Sequence, residues 1–132
     1  MKKGFTLIEL LAVIIILAIV ALIATPIVLD VVDDARTSAA KSEAAMIVNG
    51  INTNCVASAS KAQLTGNASD DLCAGKTTLT ESEVSTMIDL GNAKVSNITL
   101  SNGVVTSLTV LSNSRTVTYD VTATSDKYTV SK

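Results

Sequence analysis

The apolar residues of this chain are concentrated near its N-terminus. From Leu10 to Ala24 every side chain is Leu, Ala, Val or Ile, and after Thr25 and Pro26 the apolar run continues to Leu29. A helix over residues 5–29 would be about 37 Å long at about 1.5 Å per residue, whereas the hydrocarbon core of a bilayer is about 30 Å thick. The pattern therefore predicts a membrane-spanning helix over residues 5–29.

Apolar and small residues continue beyond this run at helical spacing. We expect the helix to reach about Cys55, with an amphipathic half over residues 30–60 that packs on the rest of the protein. Pro26 should bend the helix without ending it, because it removes one backbone donor and clashes with the carbonyl of Leu22. The positions in question are Val28, Val32, Ala35, Ala39 and Met46, followed by Ile47, Ile51 and Cys55.

Residues 61–93 read mainly as a connecting loop with one short helix. Thr80-Glu81-Ser82-Glu83 has the spacing of a capping box, and Val84, Met87 and Ile88 follow on one face. From residue 94 to residue 132 the apolar period changes to two, and Val, Thr and Ile are frequent, which predicts an antiparallel sheet. Its four expected strands cover residues 95–101, 104–111, 115–123 and 127–130.

Asn102-Gly103 marks the first hairpin of this sheet. A two-residue turn would set Leu100 opposite Val105, whereas a three-residue loop with Gly103 as a left-handed bulge residue would set it opposite Val104. We predict the three-residue loop. The inner face would then carry Ile98, Leu100, Val104, Leu108 and Val110, with Val117, Tyr119 and Val121 on the third strand.

The polar part of the chain contains two cysteines, Cys55 and Cys73. A polar body behind a membrane anchor suggests export to a compartment in which a disulfide persists. If the two cysteines pair, they stabilise the fold by about 3 kcal/mol in the chain-entropy account. The alternative is two unrelated buried thiols.

Composition argues against several functional classes. From residue 30 onward there are eight basic and eleven acidic side chains without a basic cluster, and the chain has only three aromatic residues, so a nucleic-acid surface is not indicated. The chain lacks histidine, a phosphate-binding glycine loop and a nucleophile with a base in evident reach, so we expect no enzyme and no cofactor. Two thiols cannot fill a zinc shell. Asp70 and Asp71 fall short of a calcium loop, and we read them as part of a solvated loop.

Glu9 is the unusual residue of the apolar region. A carboxylate within a spanning helix costs about 2.5 to 3.5 kcal/mol, although one near a helix end can reach towards the headgroups. No basic residue lies between Gly4 and Arg36 to pair with it. The cation that pairs with Glu9 must therefore be created or supplied by another chain. Lys2 and Lys3 precede the run as in an export signal, but no A-x-A cleavage pattern follows it.

Gly4-Phe5-Thr6-Leu7-Ile8-Glu9 stands behind a short Lys-containing leader and ahead of an unbroken apolar run. This string resembles the processing and methylation signal of type IV pilins and their pseudopilin relatives, and the resemblance extends to about Leu29, with Pro26 at the place of a helix-bending proline. It implies a leader at residues 1–4, cleavage by a prepilin peptidase between Gly4 and Phe5, and N-methylation of Phe5. It further implies that Glu9 pairs with the N-terminal ammonium of a neighbouring subunit and so sets the assembly register.

The resemblance also implies a pilin-like α+β fold, with the long helix packed on a four-stranded antiparallel meander. The function it implies is that of a structural subunit of a type IV pilus. Such a subunit is a membrane-anchored prepilin in the bacterial cytoplasmic membrane, with its N-terminus in the cytoplasm, before it enters a cell-surface filament. Its partners would be further copies of itself, the peptidase, a membrane platform protein, an assembly ATPase and, before assembly, lipid.

Two alternatives remain open from the sequence. The first is a pseudopilin of a type II secretion or DNA-uptake machine, which carries the same kind of signal. The second is a single-pass membrane-anchored surface protein, which would keep its leader uncut.

Overall fold

The structure is a computed structural model that describes residues 4–132, so that Met1, Lys2 and Lys3 of the predicted leader lie outside the described residues. A long N-terminal helix is followed by an antiparallel sheet, which confirms the predicted α+β fold. The elements are α1 (Leu7–Thr65), a 3-10 turn (Ala68–Asp70), β1 (Thr78–Leu79), α2 (Glu81–Met87), β2 (Lys94–Ser101), β3 (Val104–Ser112), β4 (Arg115–Asp120) and β5 (Tyr128–Ser131).

The chain divides into two compact units, of which the first ends at Arg36 and the second covers Thr37–Lys132. In the described part of the first unit every side chain is exposed except that of Asp33, which is half-buried. This part of α1 is long and apolar enough to cross a membrane. Because its apolar side chains find no cover within the unit, lipid or other protein must cover them.

Helix α1 passes through Pro26 and ends at Thr65, about ten residues later than predicted. Its last turns lack an apolar stripe, which is why periodicity did not reveal them. The hydroxyl of Ser60 donates to the carbonyl of Val56, four residues earlier, at 3.0 Å. Gly66 follows in the left-handed conformation at φ +69°, which is a common end for a helix.

The core of the second unit lies between one face of α1 and the inner face of the sheet. From α1 it takes residues spaced three or four apart, as the predicted amphipathic face requires. These are Ala40, Ala44, Ile47, Val48, Ile51 and Cys55.

Gly50 allows the chain after α2 to approach α1 closely. A Cβ atom at this position would lie 2.9 Å from Cγ2 of Ile88, which is shorter than real contacts of this kind. The glycine therefore has a packing role that outweighs its low helix propensity.

The sheet is a meander in the order β1-β2-β3-β4-β5, with every neighbouring pair antiparallel. The four predicted strands are present, at slightly different bounds. The prediction of four strands was incomplete because β1 adds a fifth at the edge, where Thr78 pairs with Thr99 and Leu79 with Ile98. Two residues are too few for an alternating pattern to be visible in the sequence.

The predicted three-residue loop at Asn102-Gly103 was wrong. Leu100 pairs with Val105 and Ser101 with Val104, so the turn has two residues. Asn102 (φ +53°) and Gly103 (φ +77°) are both left-handed. This is the geometry of a type I′ turn, whose twist matches the right-handed twist of the two strands.

Two irregularities set which residues face the core. The pairing passes from Ser96↔Thr109 to Thr99↔Ser107 and then to Leu100↔Val105. Strand β2 therefore has one extra residue in the first step, and β3 has one extra residue in the second. Val105 is therefore buried, whereas Val104, predicted to face the core, is 47% exposed. Val117 and Tyr119 are buried as predicted, but Val121 lies beyond the end of β4 and is 37% exposed.

Helix α2 begins with the predicted capping box. The backbone N–H of Thr80 donates to Oε2 of Glu83 at 2.8 Å, and the N–H of Glu83 donates to Oγ1 of Thr80 at 3.4 Å. Val84 is fully buried on the face that meets the core. The capping box at the N-terminus and the buried side chain of Val84 thus stabilise α2.

Candidate processing and assembly site

The peptide bond between Gly4 and Phe5 lies before the start of α1, in backbone without regular secondary structure. Phe5 is 92% exposed, and a Cβ atom added at Gly4 would meet nothing within 4 Å. The described part of the chain therefore gives no structural reason for a glycine at position 4. Gly4 and Phe5 are both exposed, so the bond between them is accessible.

Thr6 caps the N-terminus of α1, and Glu9 completes the cap. The carbonyl of Thr6 accepts the first helical hydrogen bond, from the N–H of Leu10 at 3.2 Å. The N–H and hydroxyl of Thr6 donate to Oε2 of Glu9 at 2.8 and 2.7 Å, and the N–H of Glu9 donates to Oγ1 of Thr6 at 3.3 Å. This is a capping box at the end of the apolar helix.

Sequence reasoning missed this cap although its signal is present. Thr6-Leu7-Ile8-Glu9 has the same T-x-x-E spacing as the box that was recognised at Thr80. The predicted partner of Glu9 was a cation, whereas the structure supplies the neutral N–H and hydroxyl donors of Thr6. The charge of Glu9 is therefore partly compensated within this chain.

The two oxygens of the Glu9 carboxylate differ in their surroundings. Oε2 receives both bonds from Thr6, whereas among the described residues none donates to Oε1. A carboxylate at a helix N-terminus is also favoured by the helix dipole. The arrangement holds one oxygen and presents the other, which can accept a short charge-assisted hydrogen bond from an ammonium group.

Within the described first unit, the next basic residue along the chain after Glu9 is Arg36, about 40 Å away at the rise of a helix. Cleavage after Gly4 would create an ammonium group on Phe5. This group would lie at the same end of the helix as Glu9, so its counterpart on a second copy has the right chemistry to meet the open oxygen.

The other predicted site residues lie in the second unit. The structure joins Cys55 and Cys73 by a disulfide with a Cα–Cα distance of 5.4 Å, and both residues are buried. It leaves the predicted bend at Pro26 as a prediction, since α1 simply continues through this residue.

Asp70 and Asp71 are occupied by protein donors. Asp70 accepts hydrogen bonds from the hydroxyl of Thr65 at 2.8 Å and from Nζ of Lys61 at 3.2 Å, and these bonds lower the pKa of its carboxyl. Asp71 accepts from the N–H of Cys73 at 3.0 Å. Among residues 4–132 we find no group of three side chains suited to a metal ion.

One comparison with known proteins gives a match. Residues 1–25 match the sequence model of the prokaryotic N-terminal methylation motif, which is the signal of type IV pilins and pseudopilins. The matched part includes Gly4, Phe5 and Glu9 and ends just before Pro26. No curated protein and no solved structure matches the chain. The chain thus carries a prepilin-type signal, which indicates a structural protein anchored in a membrane.

Proposed function

We propose that this protein is the structural subunit of a type IV pilus. It is made as a membrane-anchored prepilin, cleaved between Gly4 and Phe5 by a prepilin peptidase, methylated on Phe5 and polymerised through α1. The observation that carries the proposal is a methylation motif on a helix whose apolar side chains are exposed throughout the described first unit. A polymer of such helices gives each one the apolar cover that its own unit lacks.

Lipid covers the same side chains before assembly, so burial of apolar area does little to favour the polymer over the membrane-bound subunit. Interactions between polar groups must then favour the polymer over the membrane-bound subunit. The Phe5 ammonium and the open oxygen of Glu9 are such groups, because opposite charges attract strongly in a medium of low dielectric constant. Pairing of Glu9 in one copy with Phe5 of the next fixes the axial stagger of the two helices.

The remaining partners follow from this function. A membrane platform protein and a cytoplasmic ATPase would extract the subunit from the cytoplasmic membrane and add it to a filament that ends at the cell surface. A pseudopilin of a secretion or DNA-uptake machine would use the same site. Electron microscopy of surface filaments, followed by identification of their subunits by mass spectrometry, distinguishes a long pilus from a short pseudopilus.

Substitution of Glu9 tests the proposed role of its charge. Glu9→Ala should be inserted and cleaved like the wild type, but filament yield should fall by tenfold or more, because the neighbouring ammonium loses its partner. Glu9→Gln is the matched variant: its amide oxygen can still accept the bonds from Thr6, but it carries no charge. Sheared surface filaments are quantified against the mature subunit in the membrane.

The two variants separate the charge from the cap. If both variants lose filaments while the wild type makes them, the pairing account stands. If Glu9→Gln assembles normally, Glu9 acts only as a helix cap. If Glu9→Ala also assembles normally, the proposed site has no part in assembly.

A further inference from the structure

The segment between the two cysteines lies almost entirely outside the core. We call residues Val56–Leu72 the bridged segment; it contains the last ten residues of α1 and the 3-10 turn. None of its residues belongs to the apolar core, and Ser58 is its one buried residue. Its larger apolar side chains are exposed, with Val56 at 63%, Leu64 at 89% and Leu72 at 40%. Apolar burial therefore contributes little to keeping this segment folded.

The non-covalent bonds that the bridged segment makes, beyond the backbone bonds of its helical part, are local and mostly at the surface. Asp70 binds Lys61 and Thr65, and the N–H of Leu72 donates to the hydroxyl of Ser58 at 3.2 Å. Exposed ion pairs and hydrogen bonds of this kind stabilise a fold only weakly. Ordering seventeen residues opposes them at every residue. On these bonds alone the segment is poorly held.

The disulfide closes the segment at its base, where the core begins. Cys55 and Cys73 are 2% and 4% exposed and pack with the apolar core residues. A bond at this place restricts the open forms of the segment, because its two ends stay together even when the segment unfolds. The bond thus acts on a part of the domain that apolar burial does little to hold.

The rest of the second unit has its own contacts between α1 and the sheet. Oδ1 of Asn52 accepts the N–H of Val105 at 2.8 Å, and Oε2 of Glu43 accepts the hydroxyl of Ser112 at 2.5 Å. Lys41 also forms an ion pair with Asp126. These contacts do not involve the disulfide, and two free thiols can pack as small apolar groups.

A cavity adjoins the two cysteines on one side. A cavity of about 440 Å³ is lined by both cysteines, and Val56, Ala59 and Asp71 of the bridged segment form part of its wall. A dithiol that enters it could open the bond by exchange: two electrons and two protons pass to the two sulfur atoms, and the dithiol becomes a cyclic disulfide. The wall of the cavity would then be lost with the segment.

We propose that the Cys55–Cys73 disulfide is a local redox latch. Oxidised, it holds the bridged segment and the wall of the cavity in place; reduced, it releases this segment while the sheet and the preceding part of α1 stay folded. The surface formed by the segment is then complete only in an oxidising compartment, which is where a protein exported across the membrane arrives.

Hydrogen exchange read by mass spectrometry tests the latch on the full chain in detergent micelles, before and after treatment with dithiothreitol. After reduction, amides of the bridged segment should exchange on the order of 100-fold faster than in the oxidised protein. Amides of β3 should remain protected by about 1,000-fold or more, because they open only with the whole domain. The double variant Cys55→Ala/Cys73→Ala, examined without reductant, should show the same pattern.

Val117→Ala is the matched control, since it leaves the disulfide intact and creates a cavity in the core. It should speed exchange in the sheet without selectively releasing the bridged segment. The proposal is overturned if the reduced chain keeps the bridged segment as protected as β3. It is equally overturned if the bridged segment and β3 lose protection together, which would make the disulfide a staple of the whole domain.

Discussion

Single residues decide the chemistry at the start of α1. Thr6 binds Oε2 of Glu9 through two donors, so the carboxylate is held in a fixed direction at the helix end. Thr6 therefore offsets part of the cost of placing this charge in a membrane, and the proposed pairing with a second chain would offset more. The one carboxylate in this apolar run is thus part of a local capping motif.

Two residues in the left-handed conformation also limit the stability of the β3–β4 turn. Asn113 (φ +49°) and Ser114 (φ +64°) are both left-handed, as a type I′ turn requires. Serine is strained there by about 1 kcal/mol, whereas glycine adopts this conformation freely.

Ser114→Gly should therefore stabilise the domain by about 0.5–1 kcal/mol, measured as the free energy of unfolding in urea. Ser107→Gly, in the middle of β3, is the control and should destabilise it, because glycine weakens a strand. A loss of stability in Ser114→Gly would contradict the strain that we infer.

At the scale of elements, hydrogen-bonded carboxylates at the ends of helices and hairpins make the stability of the domain depend on pH. Hydrogen bonds from Lys76 and from the backbone and hydroxyl of Thr80 lower the pKa of Glu83 to about 2. Because the pKa of the folded state lies below the ordinary value of 4.5, the ionised carboxylate stabilises the folded domain above about pH 4.5. This contribution is lost as the pH falls from about 4.5 towards 2.

Glu83→Gln should reduce this part of the pH dependence, which is measured as the difference in free energy of unfolding between pH 6 and pH 2.5. Glu81→Gln, in the same turn of α2, is the control for removing a carboxylate that is not part of the capping box. An unchanged slope in Glu83→Gln would show that the capping box does not depend on the charge.

The contact between α1 and the segment after α2 is equally specific. Gly50→Ala should gain up to about 1 kcal/mol of helix propensity but lose more from the 2.9 Å approach to Ile88, for a net destabilisation of about 1–2 kcal/mol. The second variant Gly50→Ala/Ile88→Ala should be less destabilised than the sum of its two single variants. Additive losses in this cycle would contradict the clash.

Local patterns predicted some elements well and others poorly. The capping box at Thr80 and the alternation of Val117 and Tyr119 depend on neighbours in sequence, so they could be predicted. The bulges around Asn97 and Thr106 depend on which residues of the next strand lie opposite, so the burial of Val105 could not. The cap at Thr6 could have been predicted from its T-x-x-E spacing, but the surrounding apolar residues indicated only a membrane span.

At the scale of the whole molecule, the chain combines two units with different needs. The second unit has a complete core between α1 and five strands. The first unit, as far as it is described, leaves its apolar helix uncovered. Such a helix needs cover from lipid or other protein, and the methylation motif over residues 1–25 fits a membrane-anchored prepilin-type protein.

The most direct test of this account is the N-terminal sequence and intact mass of the protein recovered from its native membrane and surface fractions. We expect a mature chain that begins at N-methylated Phe5 and contains the disulfide. Gly4→Leu, which should block the peptidase, is expected to retain residues 1–4. A wild-type chain that still begins at Met1 would contradict the account, since Glu9 would then have no Phe5 ammonium to meet.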